Sequence, residues 1–171
     1  MKWMEFKDRS PSRSVDEAHQ FLNEMLWHLF PTNNDWVVNF SQSWEIREFQ
    51  LGDQLNSGEE PGPDHSDHNR LHLLLLGHVR LISLDLLRQQ EIPVALLEAG
   101  ESWGADQWFC QQPLSYRAVG SSPGVVATLP IAQLEYWLQQ VPQLQEYWQT
   151  EALARQQLIF FKAKTGLRSQ T

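Results

Sequence analysis

Short apolar runs separated by glycine and proline restrict the fold of this chain more than any other feature. Five such runs lie between residues 71 and 129, and each is too short for a typical helix. Apolar runs of this length bounded by turn residues indicate β-strands, and several of them at regular spacing indicate a barrel or a roll. The predicted strands are Leu71–Leu76, His78–Leu84, Ile92–Leu97, Tyr116–Ser121 and Val125–Leu129.

A helix is predicted in front of the strands. Apolar residues recur at helical spacing from Val15 to Leu29, which gives the segment one apolar face. Ser14 and Glu17 have the spacing of a capping box, in which both side chains accept hydrogen bonds from backbone N–H groups at the start of a helix. The helix is therefore expected to start at Ser14 and to stop before Pro31.

Two helices are predicted behind the strands. Pro130 stands where proline favours the first turn of a helix, and a longer helix is expected from Pro142 to about Lys164, with Gly166 as its stop. Strands flanked by helices indicate an α+β fold. The expected organisation is a frayed N-terminus (1–13) and a single domain (14–171), made of a helical part (14–40), a β-roll (41–130), C-terminal helices (131–165) and a tail or linker (166–171).

The composition excludes several classes of function. The chain has 21 acidic and 13 basic residues, a formal net charge of −8, whereas nucleic acids are bound mainly by Lys and Arg that neutralise phosphates. No nucleic acid is therefore expected as a partner of this segment. Cys110 is the only cysteine, so no internal disulfide is expected. A chain without disulfides is expected in the cytoplasm. No apolar run reaches the roughly 18 residues of a membrane span, so no direct membrane insertion is expected.

A polar run at residues 56–68 is predicted to be a surface loop, because it lacks periodicity and has prolines beside glycines. Carboxylates and imidazoles in and after this run have the chemistry of metal ligands. They are Asp64, His65, Asp67, His68 and His72. Their spacing matches no established metal site, so no metal is expected.

Three stretches of the chain, taken in order, resemble the cyclic-nucleotide-binding domain. Leu73–Leu81 is similar to the strand-glycine-strand signature of that superfamily, Glu98–Gly104 to its Gly-Asp-x-Phe-Gly turn, and Val126–Leu144 to the run into its terminal helices. The superfamily includes the Crp/Fnr regulators and the sensor domains of kinases and channels, and the resemblance covers residues 41–160. It implies an antiparallel β-roll (a double-stranded β-helix or jelly roll) with an N-terminal helix and two C-terminal helices.

The resemblance implies a regulatory sensor or docking domain that signals through its C-terminal helices to an attached module or a partner. No cofactor is assigned from the sequence, and the candidate ligands are a cyclic nucleotide and a cyclic dinucleotide. The residues expected to line its pocket are Trp103, Gly104, Ala105, Asp106, Leu114 and Ser115. Trp103 and Trp108 flank this turn, where they either stack on a planar ligand or fill the roll.

Two positions depart from the family and argue against cyclic AMP. In the family a Glu after the second glycine holds the ribose hydroxyl, and here that position is Ala105. The phosphate-binding Arg of the family follows the proline that closes the short helix, and here Leu114 follows Pro113. Arg117 lies three residues further on, an odd offset that points it to the other face of a strand. A buried phosphate without a charged partner is costly, so tight binding of cyclic AMP is not expected.

A divergent version of this domain is found as the N-terminal regulatory portion of peptidase-containing bacterial ABC exporters. Pro93–Gly100 and the missing Glu and Arg are similar to that group, and Phe160–Arg168 resembles its linker into the next domain. This narrower resemblance implies an attached exporter module.

The long C-terminal helix carries a stripe of apolar residues at heptad a and d spacing. In the family this helix is where dimers pair, and one polar position is normal in a dimer seam. The stripe consists of Leu144, Tyr147, Ala154, Leu158 and Phe161, interrupted by Glu151. A homodimer through this helix and packing of the stripe back onto the roll are both open.

The chain is not expected to be an enzyme, and the main alternative to a sensor is a structural protein-interaction domain without a small-molecule ligand. A minor alternative is a serine hydrolase, because Gly100–Gly104 matches the Gly-x-Ser-x-Gly elbow with Ser102 as nucleophile. That fold orders its triad Ser, acid, His, and every histidine here precedes Ser102. Cys110 is a second candidate nucleophile, but a lone cysteine in an apolar setting is more often buried and inert.

Overall fold

The computed structural model of this chain describes residues 11–55, 70–85, 88–111 and 116–168. A helix in front of the strands and two helices behind them confirm the predicted α+β architecture. In order, the elements are α1 (Pro11–Leu29), α2 (Val37–Gln42), β1 (Glu45–Phe49), β2 (Arg70–Leu76), β3 (Val79–Asp85), β4 (Gln90–Leu97), β5 (Ser102–Trp103), α3 (Asp106–Cys110), β6 (Tyr116–Gly120), β7 (Gly124–Pro130), α4 (Ile131–Gln140) and α5 (Pro142–Arg168).

The strands form the two antiparallel sheets of a β-roll. One sheet has the order β1-β7-β2-β5 and the other has the order β4-β3-β6. The two strands around Gly77 therefore belong to different sheets, although only two residues separate them. Gly77 has a φ of +93°, and a Cβ there would lie 2.6 Å from the carbonyl oxygen of Pro123. The glycine is needed because the chain leaves one sheet at a point where another backbone segment passes close by.

Strand β2 is buried on both faces, which explains its unbroken apolar run. Alternate residues of a strand point to opposite faces. Leu71, Leu73 and Leu75 pack with the helices on the outer face, in a cluster of buried residues that we call the helical core. Leu74 packs inside the roll with residues of β3, β4 and β6. A strand between two cores has no solvent-facing side, so the polar alternation of an exposed strand is absent.

Helix α1 starts earlier than the sequence predicted. It begins at Pro11, within the segment expected to fray, so the predicted capping box at Ser14 lies inside the helix. Proline is well suited to the first turn of a helix, because its missing N–H is unpaired there in any case. The apolar face was correctly predicted, since Ala18, Leu22 and Leu26 are buried in the helical core.

Helix α5 is longer than predicted, because it runs through Gly166 to Arg168. A single glycine inside a helix costs only about 1 kcal/mol relative to alanine, which does not suffice to stop it. The short helix α2 was not predicted as a separate element, since six residues are too few to show helical periodicity. In the described part of the chain, no helix combines the length and the apolar character needed to cross a membrane.

Candidate functional site

The turn that leads from β5 into α3 carries four of the six residues predicted to line a pocket, and all four are buried. They are Trp103, Gly104, Ala105 and Asp106. The other two, Leu114 and Ser115, lie outside the described residues. Gly104 has a φ of +100°, a region that residues with a Cβ rarely adopt. The chain can therefore turn sharply here and place Asp106 at the start of α3.

One face of α5 lies across this turn. Its residues follow at steps of three or four, which places them on one side of a helix. They are Leu144, Trp148, Glu151, Ala152, Arg155, Ile159 and Lys162. Leu144 and Trp148 pack in the helical core, and Ile159 packs against the roll interior. Farther along, Lys162 Nζ donates to the backbone carbonyls of Pro93 at 3.0 Å and Val94 at 2.9 Å. Helix α5 thus bridges the helical core, the turn and β4.

Arg155 is the central polar contact between α5 and the turn. Its Nη1 donates to Oδ1 of Asp106 at 2.8 Å, and its Nη2 donates to the backbone carbonyl of Ser102. The side chains of Arg155 and Asp106 are 8% and 2% exposed, so the ion pair is buried. A buried charge without a partner is very unfavourable, so Asp106 depends on Arg155. Arg155 also lies 3.5 Å from Oε1 of Glu151.

Tyr116, the first residue of β6, completes this network. Its hydroxyl accepts a hydrogen bond from the N–H of Gly104 at 3.0 Å and donates one to Oδ1 of Asp106 at 2.9 Å. The guanidinium of Arg155 lies 5.6 Å from the centroid of the Tyr116 ring. The ring and the carboxylate thus hold the same cation, and three separate elements meet at Asp106.

A second polar contact joins α5 to β5. The hydroxyl of Ser102 donates to Oε2 of Glu151 at 2.8 Å, and the N–H of Ser102 donates to Oε1 at 3.2 Å. The hydroxyl of Ser102, a residue that is 2% exposed, is thus bound to a carboxylate. The predicted nucleophile elbow is instead part of a two-residue strand, and Ser102 acts as an anchor for α5.

Burial and charge alter the pKa values of the groups in the network. For Arg155, burial is the largest single influence and lowers the pKa, but Tyr116, Asp106 and Glu151 together outweigh it and raise the pKa. Burial, reinforced by the charge of Asp106, raises the pKa of Tyr116 well above its ordinary value. Burial also raises the pKa of Glu151, against hydrogen bonds from Ser102 that lower it. Arg155 is therefore a permanent cation and Tyr116 a neutral donor.

Little space is left between the turn and α5. A cavity of about 10 Å³ lies between Trp103, Asp106, Trp148 and Arg155. A cavity needs about 10–15 Å³ to hold a single water molecule. Between α5 and the described pocket residues Trp103 and Asp106, this cavity therefore has no room for a nucleotide.

The buried imidazole of His72 lies behind the turn. Its ring stacks on Trp103, with centroids 5.0 Å apart and planes inclined by 11°. Burial, together with the charges of Arg47 and Arg70, lowers the pKa of His72 to about 3. Within the described residues, the Nδ1 of His72 has no hydrogen-bond partner. The imidazole is therefore neutral at physiological pH and packs against the indole ring of Trp103.

Of the two positions that depart from the family pattern, Ala105 is described and Leu114 lies outside the described residues. Ala105 is buried in the helical core. Arg117 points outward from β6 and pairs with Glu91 on the surface, so it does not reach the turn. Trp103 fills the roll interior, whereas Trp108 is partly exposed and donates to Glu135 at 2.9 Å. Trp103 therefore follows the core-filling interpretation.

The remaining candidates are the metal ligands predicted in and after the polar run and the thiol of Cys110. Among the described residues, no group of His, Cys, Asp and Glu is placed to hold a metal ion. Asp64, His65, Asp67 and His68 lie outside the described residues. Cys110 is partly exposed, not fully buried. Burial and the charge of Asp106 raise its pKa, which keeps the thiol protonated and unreactive.

Of the two alternatives for the apolar stripe on α5, its N-terminal end follows packing onto the chain's own domain. Leu144 is fully buried in the chain's own helical core, and Tyr147 packs against that core. Leu158 and Phe161 are 39% and 63% exposed. The heptad positions differ in exposure because the N-terminal part of α5 packs against the helices and a later part packs against the roll. They therefore do not form one continuous surface for a partner.

Sequence reasoning missed Arg155 and took Glu151 for an interruption. A signal was present, since Glu151 and Arg155 continue the spacing of Leu144 and Trp148 along one helix face. Charged residues on an otherwise buried face indicate buried partners. Their partners, Ser102 and Asp106, lie 49 residues away in sequence and could not be read from spacing.

No protein-family model matches the chain, and no curated protein matches it. Solved structures do share its fold. A cyclic nucleotide-binding domain from Methylobacillus flagellatus KT is 22% identical with a TM-score of 0.62, over 92% of this chain and 86% of that one. A CooA mutant from Carboxydothermus hydrogenoformans is 15% identical with a TM-score of 0.57, over 83% of this chain and 84% of that one.

A third similar structure is the regulatory subunit of a cAMP-independent protein kinase A from Trypanosoma cruzi, bound to guanosine. It is 18% identical with a TM-score of 0.60, over 79% of this chain. This chain spans 46% of the length of that subunit. At these identities the likenesses show the fold, which is the predicted β-roll of the cyclic-nucleotide-binding type.

Proposed function

We propose that this chain is a regulatory docking domain in which the attachment of α5 to the β-roll is the controlled event, and that the attached state needs no cyclic nucleotide. The observation that carries the proposal is the buried ion pair between Arg155 of α5 and Asp106 of the turn. An external ligand is not needed to close the network, because the chain's own carboxylate supplies the negative charge.

The lack of space supports a domain that is degenerate for cyclic AMP. The cavity of about 10 Å³ is far smaller than a nucleotide, and ligand pockets usually measure about 300–1,000 Å³. Ala105 stands where the family has its ribose-binding Glu. One structure of the same fold is described as the regulatory subunit of a cAMP-independent kinase, so the fold is found in regulation without cyclic AMP.

Signalling follows from the position of α5. A change that favours release of α5 shifts the population between attached and released states, and the end of α5 carries that change to an attached module or a partner. An exporter module as the attached part is supported by the sequence resemblance alone. A homodimer through α5 is confined to the exposed part around Leu158, because Leu144 is buried.

Hydrogen exchange along α5 tests this function. Peptides that cover residues 148–162 are compared between the wild type and the D106N variant, which keeps the size of the side chain and removes its charge. We expect faster exchange of α5 in D106N and little change in α1, because the Asp106 carboxylate binds α5 and Tyr116 of β6. The matched control is E91Q, which breaks the exposed pair with Arg117. Equal protection of α5 in the wild type and D106N contradicts the proposal.

A thermal-shift titration with cyclic AMP, cyclic GMP and the cyclic dinucleotides tests the degenerate site. No shift is expected for the wild type with any of them. A ligand at 100 times its dissociation constant should raise the melting temperature by roughly 5–10 °C. Such a shift with a cyclic nucleotide contradicts ligand-free closure.

A further inference from the structure

Hydrogen-bond donors from two elements converge on the carboxylate of Asp106. Oδ1 accepts from Nη1 of Arg155 at 2.8 Å and from the hydroxyl of Tyr116 at 2.9 Å, and Oδ2 accepts from Nε2 of Gln156 at 3.4 Å. Asp106 is itself 2% exposed. The carboxylate therefore stands inside a buried set of donors.

The direction of the Tyr116 hydrogen bond is determined by its neighbours. The N–H of Gly104 and Nη1 of Arg155 both point at the Tyr116 oxygen, at 3.0 and 3.4 Å. Both groups are donors only, so the oxygen accepts from them and its own proton goes to Asp106. Tyr116 and Arg155 thus both donate to the carboxylate of Asp106.

A guanidinium with a hydroxyl and an amide is a donor set that proteins use to hold carboxylates and phosphates. We propose that these donors form an oxyanion site that is occupied at rest by the chain's own Asp106. A ligand that carries a carboxylate or phosphate group acts on this domain by taking the place of that carboxylate. This inference rests on the proposed function, since displacement of Asp106 is the event that alters the attachment of α5.

Displacement is required because the site has no room for both anions. The adjoining cavity of about 10 Å³ holds at most one water molecule. The tethered carboxylate is always present at a high effective concentration. An external oxyanion therefore binds the wild type weakly, and removal of the carboxylate should expose the full affinity of the site.

The experiment replaces the tethered anion by a free one. D106A removes the carboxylate and leaves a gap of its size, and formate has the shape of the missing group. Calorimetry and thermal shift with sodium formate, against sodium chloride at equal ionic strength, are run on the wild type, D106A, D106N and D106A/R155Q. We expect D106A to bind formate at least tenfold more tightly than each of the other three. Equal responses of D106A and D106A/R155Q overturn the proposal.

Inorganic phosphate and acetate in the same assay distinguish the two ligand sources. A response to phosphate at lower concentration than to formate assigns a phosphate group, and a response to carboxylates alone assigns a carboxylate. If D106A does not fold in chloride, it is refolded in formate. Recovery in formate that requires Arg155 is then the expected result, and failure in both media overturns the proposal.

Hydrogen exchange on the same samples separates this proposal from the proposed function. If α5 loses protection in D106A and formate does not restore it, the oxyanion site is wrong while controlled attachment of α5 stands. If α5 keeps its protection in D106A, the proposed function fails whatever formate does.

Discussion

Nη1 of Arg155 lies 2.8 Å from Oδ1 of Asp106, and 49 residues of sequence separate the two side chains. This contact joins the last helix of the domain to the turn at the start of α3. Because both side chains are buried, its loss affects stability more than the loss of a surface pair does.

R155Q should lower the free energy of unfolding by about 3–5 kcal/mol, because it leaves the buried carboxylate of Asp106 without its cation. D106N should lower it by less, because Arg155 keeps the carboxylate of Glu151 at 3.5 Å. Urea denaturation measures the effect. The control E91Q breaks the exposed pair with Arg117 and should cost less than about 1 kcal/mol. A loss in R155Q no greater than in E91Q would show that the buried pair does not hold α5.

His72 should make the domain sensitive to acid. Its pKa is lowered from 6.5 to about 3 in the folded state. Between these values the unfolded chain binds the proton and the folded chain does not, so stability falls as the pH falls. The loss should reach about 2 kcal/mol between pH 6.5 and pH 5. In H72L this dependence should be smaller, whereas H78Q, at an exposed histidine, should retain it. Parallel stability–pH curves for H72L and the wild type would exclude His72 as the cause.

Gly104 should tolerate no side chain. A Cβ at this position would overlap the carbonyl oxygen of Arg70 and lie 2.8 Å from Cδ2 of His72. G104A should therefore cost about 2–5 kcal/mol, from the positive φ and from overpacking. The control G52A shares a positive φ of +88° but meets no atom within 4 Å, and it should cost about 1–2 kcal/mol. Equal losses for both variants in urea denaturation would contradict the close packing of the turn.

Ser102 should matter for stability and not for hydrolysis. S102A removes a hydrogen bond to the Glu151 carboxylate and should cost about 1.5–3 kcal/mol. S41A, which removes a bond to a neutral carbonyl in its own helix region, should cost about 0.5–1.5 kcal/mol. With simple esters, the wild type and S102A should give the same background rate. A rate that disappears in S102A would revive the hydrolase interpretation.

Replacement of two leucines of α5 by alanine should affect stability to different extents. Leu144 is fully buried, so L144A should cost about 2–5 kcal/mol of stability. Leu158 is 39% exposed, and L158A should leave the stability nearly unchanged. If the domain dimerises through α5, light scattering should show weaker association of L158A. A larger stability loss in L158A than in L144A would contradict the packing of α5.

The order of the elements could be predicted from the sequence because local patterns encode it. The unbroken apolar run of β2 and the glycines and prolines between strands are visible without a partner. The outward direction of Arg117 also followed from strand alternation, and the structure places it on the surface beside Glu91. The helix ends were less accurate, because Pro11 and Gly166 act through small energy differences.

By itself, the sequence determined five of the seven described strands, the N-terminal helix and the two C-terminal helices, because hydrophobic periodicity and turn residues act over a few positions. Only the tertiary structure decided that Arg155 supplies a cation to the turn, that Ser102 anchors Glu151 and that Leu144 belongs to the core and not to a dimer seam. These contacts join segments that local patterns treat as independent. Burial makes these contacts important for stability, because a charge removed from water is unfavourable without a partner. That partner can come from any segment that the fold brings close.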